Sequence, residues 1–275
     1  MEYLYHSAML TSVFRTMQSE VLAQSRLVST EYEAVAELAI DTSDLTVKRS
    51  GWEIFRSPAS GMNGCGSEDG LIGQEMGFQS GRALGTIGNK FDGIPKLLLT
   101  ECVKGMIQSD VFLFRERGFP SVEDYQHDWK KQHADSCFLY SNQHRSQNRP
   151  WTYYFDARKY DTQLFSRSKT AQVTKTDEYT YSVSGGFFDG YHEIGIELTT
   201  ADGLVSRIEG GFMRSPDPLC AETIAGIQQL AGRKLDDLNK HCLSKIVGGT
   251  QGCYHLVEFL SFLTDALTSA TKLKA

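Results

Sequence analysis

Four side chains in the C-terminal half of the chain combine thiol and imidazole chemistry. His192 stands at the start of a strand in DGYHEIGIEL, and Cys220 follows an Arg-Ser-Pro tripeptide by four residues, where a helix begins. Cys253 and His255 open the last helix, directly after Gly-Gly-Thr-Gln-Gly. Thiolate and imidazole together suit zinc or iron, and the positive end of a helix lowers the pKa of a thiol. The spacing therefore predicts a metal site where separate strand and helix starts meet.

A metal-free interpretation of the same residues stays open. Cys253 precedes Leu256 and Leu260 by three and seven residues, so it lies on the apolar stripe of the last helix and can be a small core residue. His255 is then a surface residue near the helix start. The six cysteines of the chain are too few for a disulfide scaffold. Buried structural thiols are thus the alternative to ligands.

One pattern of strands occurs twice in the chain. VAELAI (35–40) precedes LTVKRSGWEIFRSP (45–58), and GIELTT (195–200) precedes LVSRIEGGFMRSP (204–216). Each copy has two alternating strands joined by a short polar turn and ends in Arg-Ser-Pro, and helices with cysteines follow. The pattern predicts an α+β fold of two tandem units, each a small antiparallel sheet followed by two or three helices.

The predicted units are residues 1–118, a diverged first unit, and residues 163–275, the clearer second unit. A polar and aromatic linker with one helix is predicted over residues 119–162. Two similar units in one chain can pack as a pseudo-dimer, with a site within or between the halves. The tandem arrangement therefore raises the question of whether the first unit carries a site as well.

The strand match predicts a counterpart site in the first unit. It places Tyr32 opposite His192, with Glu33 beside it. Cys65 follows the first Arg-Ser-Pro by seven residues, and Cys102 lies on the last helix of the first unit. Both cysteines recur while the histidine is replaced. If the second unit binds metal, the first unit either binds it with an oxygen ligand from Tyr32 or Glu33 or has lost the site.

Residues outside these two sets also leave two interpretations each. His133 and Cys137 are spaced as one face of a helix, which is either a two-ligand face or a solvated polar surface. Arg56 and Arg214 precede Ser-Pro in the two copies, where they either clamp a carboxylate or form a salt bridge at a strand end. Four aromatic residues of the linker are predicted to wall a pocket: Trp129, Trp151, Tyr153 and Tyr154.

Composition restricts the class of protein. The net charge of -6 and pI near 5.7 argue against a nucleic-acid-binding surface. No apolar run approaches the roughly 20 residues of a membrane helix, and the start MEYLYHSAML lacks the basic and apolar regions of a signal peptide. We therefore expect a cytoplasmic protein that binds neither nucleic acid nor membrane. The partners left open are a small-molecule substrate, a protein partner and a second copy of the chain.

Two resemblances follow from these residues. The second unit resembles an uncharacterised bacterial domain of unknown function through GYHEIGIEL, RSPDPLC and GGTQGCYHL, and the first unit looks like a diverged copy. The order of strands, helices and cysteines is also similar to the NifU-type iron–sulfur cluster scaffold family. That resemblance implies a cluster or zinc at one sheet edge. The family's first ligand cysteine falls on His192, which departs from the family, the second on or near Cys220 and the third on Cys253. The scaffold's Cys-Gly-Asp and Gly-Cys-Gly motifs are absent from the second unit, although GCGS occurs at Gly64–Ser67.

The combined expectation is a metal-binding protein. It would hold zinc, iron or an iron–sulfur cluster through His192, Cys220 and Cys253, with His255 as a fourth ligand or as the partner of a ligand. Such a protein acts either as a carrier or as a small metalloenzyme on a small organic substrate. The alternative is a metal-free accessory subunit or protein-interaction module with structural cysteines.

Overall fold

The computed structural model of the protein describes residues 1–58, 63–77, 80–147, 149–153 and 162–273. Within these residues the chain forms nine β-strands and seven α-helices, with short 3-10 helices between them. The strands are β1 (Glu2–Met17), β2 (Glu20–Ser29), β3 (Glu33–Asp41), β4 (Val47–Arg56), β5 (Gly64–Gly66), β6 (Gln163–Lys175), β7 (Thr180–Phe188), β8 (Glu193–Ala201) and β9 (Leu204–Arg214). The helices are α1 (Gly81–Gly85), α2 (Ile94–Ser109), α3 (Val122–Gln132), α4 (Phe138–Ser141), α5 (Pro218–Glu222), α6 (Lys240–Val247) and α7 (Tyr254–Lys272). None of the helices in these ranges has the length and apolar character needed to cross a membrane.

The strands form a large antiparallel sheet in a mixed α/β fold. They hydrogen-bond in the order β5-β4-β3-β2-β1-β6-β7-β8-β9. Alternation of apolar and polar residues determines which face of each strand is buried. In β8, every second residue from Ile194 to Thr200 is buried. The predicted combination of antiparallel strands and helices is confirmed, but the sheet is larger than the small sheets expected. Nine strands hydrogen-bond in one order, where two separate sheets of a few strands each were expected.

Two compact units divide the chain. The C-terminal unit comprises Met1–Ala8, Asp128–Trp151 and Lys169–Ala275, and the N-terminal unit comprises Met9–His127 and Thr152–Ser168. This division differs from the predicted boundaries at 118 and 162. The predicted linker does not stand apart, because its residues are shared between the units. The strands β1 and β6 also contribute residues to both units.

In the C-terminal unit, α7 packs closely against the sheet. Its apolar stripe is fully buried and includes Leu256, Leu260 and Leu263. Gly185 on β7 leaves room for two neighbours, because a Cβ there would lie 2.0 Å from the carbonyl oxygen of Thr170 on β6 and 2.8 Å from Leu263 Cδ2 on α7. The start of α7, which carries His255, is thus fixed over the end of β7 by packing of the helix that follows.

Replacing Gly185 by alanine is expected to destabilise the protein by about 1–3 kcal/mol, because the added methyl group overpacks a rigid contact. Gly211→Ala on β9 is the matched control, since a Cβ at Gly211 meets no atom within 4 Å. Urea denaturation followed by circular dichroism measures both free energies of unfolding. Equal stability of the two variants would contradict the close contacts of Gly185 with β6 and α7.

The strand pairs β3–β4 and β8–β9 share the positions of their irregularities. The β3–β4 pair shifts register directly after Glu33 and again directly before Ile40. The β8–β9 pair shifts directly after Glu193 and again directly before Thr200. Bulges bend a strand and re-aim the residues beside them. The bulges therefore lie at the same distance in sequence from the loops that precede β3 and β8.

Candidate metal centre

The loop between β7 and β8 holds His192 in a hydrogen-bonded turn. The carboxylate of Asp189 accepts the backbone N–H groups of Tyr191 at 2.7 Å and His192 at 2.6 Å. The N–H of Asp189 donates in return to the carbonyl of His192 at 2.9 Å. The Asp189 side chain is fully buried. An aspartate that bonds the backbone two and three residues onward is a standard turn device, and here it fixes the backbone of His192 at the start of β8.

Arg214 closes the same loop from the end of β9. Its guanidinium donates to the carbonyls of Gly190 at 2.6 Å, Asp189 at 2.8 Å and His192 at 3.5 Å. The carboxylate of Glu193 is further away, at 3.9 Å. The arginine of the second Arg-Ser-Pro therefore holds backbone carbonyls, which neither sequence interpretation included.

His192 and His255 meet at the centre of the candidate site. Their ring centroids are 3.9 Å apart at an interplanar angle of 33°. The Nδ1 atom of His192 lies 3.1 and 3.2 Å from the two carboxylate oxygens of Asp189. The Nδ1 atom of His255 lies 3.8 Å from the Sγ atom of Cys253. Short contacts thus link, in this order, the carboxylate of Asp189, the imidazoles of His192 and His255, and the thiol of Cys253.

The ligand atoms of Asp189, His192 and His255 lie within 4.8 Å of one another. In the described part of the chain, this is the one group of three or more histidine, cysteine, aspartate or glutamate side chains that meets this distance. Asp189 and His192 are buried, and His255 is half-buried. Of the four predicted residues, the structure therefore brings His192 and His255 together and places Cys253 beside His255.

Cys253 is buried beside this trio, whereas the buried Cys220 lies on α5 and does not belong to a group of three metal-ligating side chains among the described residues. Burial raises the pKa of Cys253 to about 12, and the neighbouring Cys137 thiol adds to the shift. The pKa of Cys220 is raised as well, mainly by burial and further by the neighbouring thiols of Cys253 and Cys137. The lowering expected from a helix start is outweighed by loss of hydration. Without metal, both groups are neutral thiols at pH 7.

Asp189 was not predicted as a site residue, although the sequence contains a signal for it. It precedes Gly190 in the Asp-Gly-Tyr-His segment, and Asp-Gly marks a turn in front of a strand. The side chain of a turn aspartate folds back onto the residues that follow it. A carboxylate beside His192 could therefore have been expected from the local sequence alone.

The N-terminal unit has an equivalent loop with different side chains. Arg56 donates to the carbonyls of Ser29, Thr30 and Tyr32, as Arg214 does in the C-terminal unit. The Ser29 hydroxyl accepts the N–H of Tyr32 at 2.9 Å, in the manner of Asp189. The Tyr32 hydroxyl donates to the carboxylate of Asp92, directly before α2. A tyrosine–aspartate hydrogen bond thus occupies the position of the two histidines.

The other predicted residues of the first unit lie apart from this loop. Cys65 is exposed on β5, and Glu33 is exposed at the start of β3. Cys102 is fully buried in α2, where its Sγ contacts the carbonyl of Ala36 at 3.4 Å and burial raises its pKa. Neither cysteine belongs to a group of three metal-ligating side chains within the residues that the structure describes.

His133 and Cys137 do not form one helical face. Helix α3 ends at Gln132, and the chain turns through Asp135, which has a left-handed φ of 62°. His133 instead stacks on Trp129 with ring centroids 4.1 Å apart. Cys137 caps α4 with an extended backbone. The left-handed residue between them explains why the helical spacing does not persist.

Aromatic residues of the predicted linker lead towards the candidate site. The ring of Trp129 lies 5.4 Å from that of Trp151, which lies 6.1 Å from Tyr191. Tyr191 in turn lies 6.4 Å from His192. Tyr153 is exposed. The predicted Tyr154 lies outside the described residues.

Comparison with known proteins gives one match. Residues 166–269 match a family described as "Protein of unknown function (DUF2889)". No curated protein and no solved structure matches the chain. The matched segment contains Asp189, His192, Cys220, Cys253 and His255, but not Cys137. The predicted resemblance of the second half to a domain of unknown function is therefore confirmed, and this half of the chain is similar to that family.

Proposed function

We propose that the C-terminal unit binds a transition-metal ion, Zn²⁺ or Fe²⁺, through His192 and His255, with Asp189 beside them. The observation that carries the proposal is the closeness of these three groups, with ligand atoms within 4.8 Å of one another. Two imidazoles in contact at 3.9 Å repel each other when both are protonated, whereas a shared cation uses their lone pairs. Imidazole with carboxylate or thiolate is the donor set that these ions prefer.

In this proposal Asp189 orients a ligand. Its carboxylate already accepts two backbone N–H groups, and its contact with His192 Nδ1 favours the tautomer with the proton on that atom. The Nε2 atom of His192 then carries the lone pair for the metal. His255 and Cys253 supply further donors from the start of α7, and metal binding displaces the Cys253 proton to solvent.

The burial of the site favours a resident ion over transported cargo. A carrier must present its ligands to a partner, whereas Asp189, His192 and Cys253 are all buried. Iron–sulfur clusters are held mostly by cysteine thiolates, so the two imidazoles fit a mononuclear ion better. We therefore favour a metalloenzyme acting on a small organic substrate over a scaffold of the NifU type, and the aromatic residues from Tyr191 to Trp129 are the candidate substrate wall.

We further propose that the two halves derive from one duplicated unit. The matching bulges and the matching hydrogen bonds of Arg56 and Arg214 support this origin. The loop of the N-terminal unit then kept its backbone while Tyr32 and Asp92 replaced the histidines. One metal ion per chain is the expected stoichiometry, since the predicted counterpart residues Cys65 and Cys102 lie apart from that loop.

The test is the metal content of protein purified without chelator, measured by inductively coupled plasma mass spectrometry. We expect one equivalent of zinc or iron per chain, and His192→Ala and His255→Ala should each reduce it at least about tenfold. His241→Ala is the control, because His241 is exposed on α6 in the same unit.

Absence of zinc and iron from the wild-type protein, both as purified and after reconstitution, would overturn the proposal. The metal-free accessory subunit would then be the better account. Equal metal content in the His192, His255 and His241 variants would place the ion elsewhere in the chain.

A further inference from the structure

Three aromatic rings continue from the histidine pair into the segment that precedes β6. The ring of Tyr191 lies 6.4 Å from that of His192 at an interplanar angle of 70°. Trp151 follows at 6.1 Å from Tyr191, and Trp129 at 5.4 Å from Trp151. All three rings, here called the aromatic row, belong to the C-terminal unit. The row therefore connects the candidate metal site with side chains from another part of the chain through direct ring contacts.

The far end of the aromatic row is held in place by hydrogen bonding and stacking. Trp129 stacks on His133 with ring centroids 4.1 Å apart at 17°, and its Nε1–H group donates to the Tyr140 hydroxyl at 2.9 Å. Trp151 lies against this fixed ring and is half-buried, so part of its own ring is open to solvent. Trp151 is therefore a supported aromatic surface that a ligand from solvent can contact.

The histidine pair at the other end of the row also has aromatic surroundings. Phe187 is fully buried, and its ring lies 5.6 Å from that of His255 and 6.4 Å from that of His192. His255 itself is half-buried, so the pair is reached from solvent. The Nε2 atom of His192 makes no hydrogen bond within the described part of the chain. A ligand of an ion held there would thus contact aromatic side chains in addition to the ion.

We infer that the substrate of this site is a small planar aromatic compound with an oxygen donor, a phenolate or a carboxylate. The donor binds the metal ion, and the ring packs on the aromatic row. This inference rests on the proposed function and names its substrate class. Aromatic side chains favour other rings in offset or edge-on contacts. The charge of the ion disfavours cationic ligands, so the row does not serve as a cage for a quaternary ammonium group.

The origin of the rings separates the choice of substrate from the binding of metal. Tyr191 and the two histidines lie within residues 166–269, the segment that matches the domain of unknown function, whereas Trp129 and Trp151 precede it. Replacing Trp151 should therefore change which ligands bind, while the zinc content stays at one equivalent. A residue that only supports the fold of the site would affect metal and ligand together.

The first test compares two hydroxamates, which bind a metal ion through the same group. Acetohydroxamate carries a methyl group and benzohydroxamate a phenyl ring. Isothermal titration calorimetry of the zinc-loaded protein should give benzohydroxamate a dissociation constant at least about tenfold lower. Trp151→Leu should reduce this ratio at least about fivefold. Tyr179→Leu is the matched control, because Tyr179 is an exposed aromatic residue of the same unit at the opposite end of β7 from His192.

The second test needs no variant and therefore does not depend on the folding of one. Cyclohexanecarbohydroxamate has the same metal-binding group and a ring of similar size that is neither planar nor aromatic. Benzohydroxamate should bind to the zinc-loaded wild-type protein at least about threefold more tightly than this compound. Equal affinity, or tighter binding of the saturated ring, would overturn the aromatic substrate class.

The failures of the two proposals are distinguishable. A protein that holds one equivalent of zinc but binds neither hydroxamate, or binds acetohydroxamate and benzohydroxamate equally, overturns the inference and leaves the histidine site standing. The same conclusion follows if Trp151→Leu keeps the preference of the wild-type protein. A wild-type protein that binds neither zinc nor iron overturns the proposed function itself.

Discussion

Replacing Asp189 by serine is expected to lower the affinity for a metal ion by about 10- to 100-fold with little loss of stability. Serine is chosen because Ser29 stands at the equivalent position of the N-terminal unit, where its hydroxyl accepts the N–H groups of Glu31 and Tyr32. Asp189→Ser therefore keeps an acceptor for the loop backbone and removes the carboxylate that contacts His192. Competition with a chromogenic chelator of known affinity measures the change.

Asp189→Ala separates the two roles of the carboxylate, which accepts backbone N–H groups and contacts His192. This variant also leaves the N–H groups of Tyr191 and His192 without their acceptor, so we expect a loss of about 1–3 kcal/mol in the free energy of unfolding for each buried group left unpaired. Unaltered metal affinity in Asp189→Ser would show that the carboxylate does not support a metal ligand. Instability of Asp189→Ser equal to that of Asp189→Ala would contradict the equivalence of the two loops.

Replacing Lys169 by methionine is expected to lower the free energy of unfolding by about 3–5 kcal/mol, the cost of leaving a buried charge without its ion-pair partner. The Lys169 Nζ atom lies 3.1 Å from the carboxylate of Glu258, and both side chains are less than 5% exposed. Glu258 lies on α7 one turn beyond His255. Loss of the ion pair should therefore weaken the packing of α7, the helix that carries His255. Thermal and urea denaturation would both detect the loss of stability.

The double variant Lys169→Met with Glu258→Leu is the control that isolates the ion pair. Replacing both charges by apolar groups of similar size is often close to neutral, so stability should largely return. Lys272→Met, an exposed position near the end of α7, should change stability by less than about 0.5 kcal/mol. A single Lys169 variant as stable as Lys272→Met would show that the pair contributes nothing.

Local sequence patterns predicted the strands and the correspondence of the two loops. Alternating residues and the Asp202-Gly203 turn place β8 and β9 correctly, and the ungapped match puts Tyr32 at the position of His192. These features depend on neighbours in the chain, which is why periodicity detects them. Apolar alternation does not mark the whole of β1, because its buried positions include the polar residues Ser7 and Thr11.

The meeting of His192 with His255 could not be derived from sequence. It depends on how α7 packs on β7, a contact between segments more than 60 residues apart in the chain. Cys137 was assigned to a helical face because nothing in the spacing reveals the left-handed φ of Asp135. The elevated thiol pKa values of Cys220 and Cys253 likewise reflect tertiary burial, which local sequence does not specify.

An arginine ends each of the strands β4 and β9 and holds the backbone of a nearby loop. The loop conformation is thus set separately from the reactive side chains that the loop carries. Arg56 and Arg214 donate hydrogen bonds to backbone carbonyls, and these bonds do not depend on which side chains the loop residues carry. The same frame accepts a tyrosine at position 32 and a histidine at position 192. Substitutions at such positions can exchange one reactivity for another while the loop keeps its conformation. The fold therefore contains two loops whose backbone conformation is held by an arginine. The reactive side chain on one loop can change independently of that on the other.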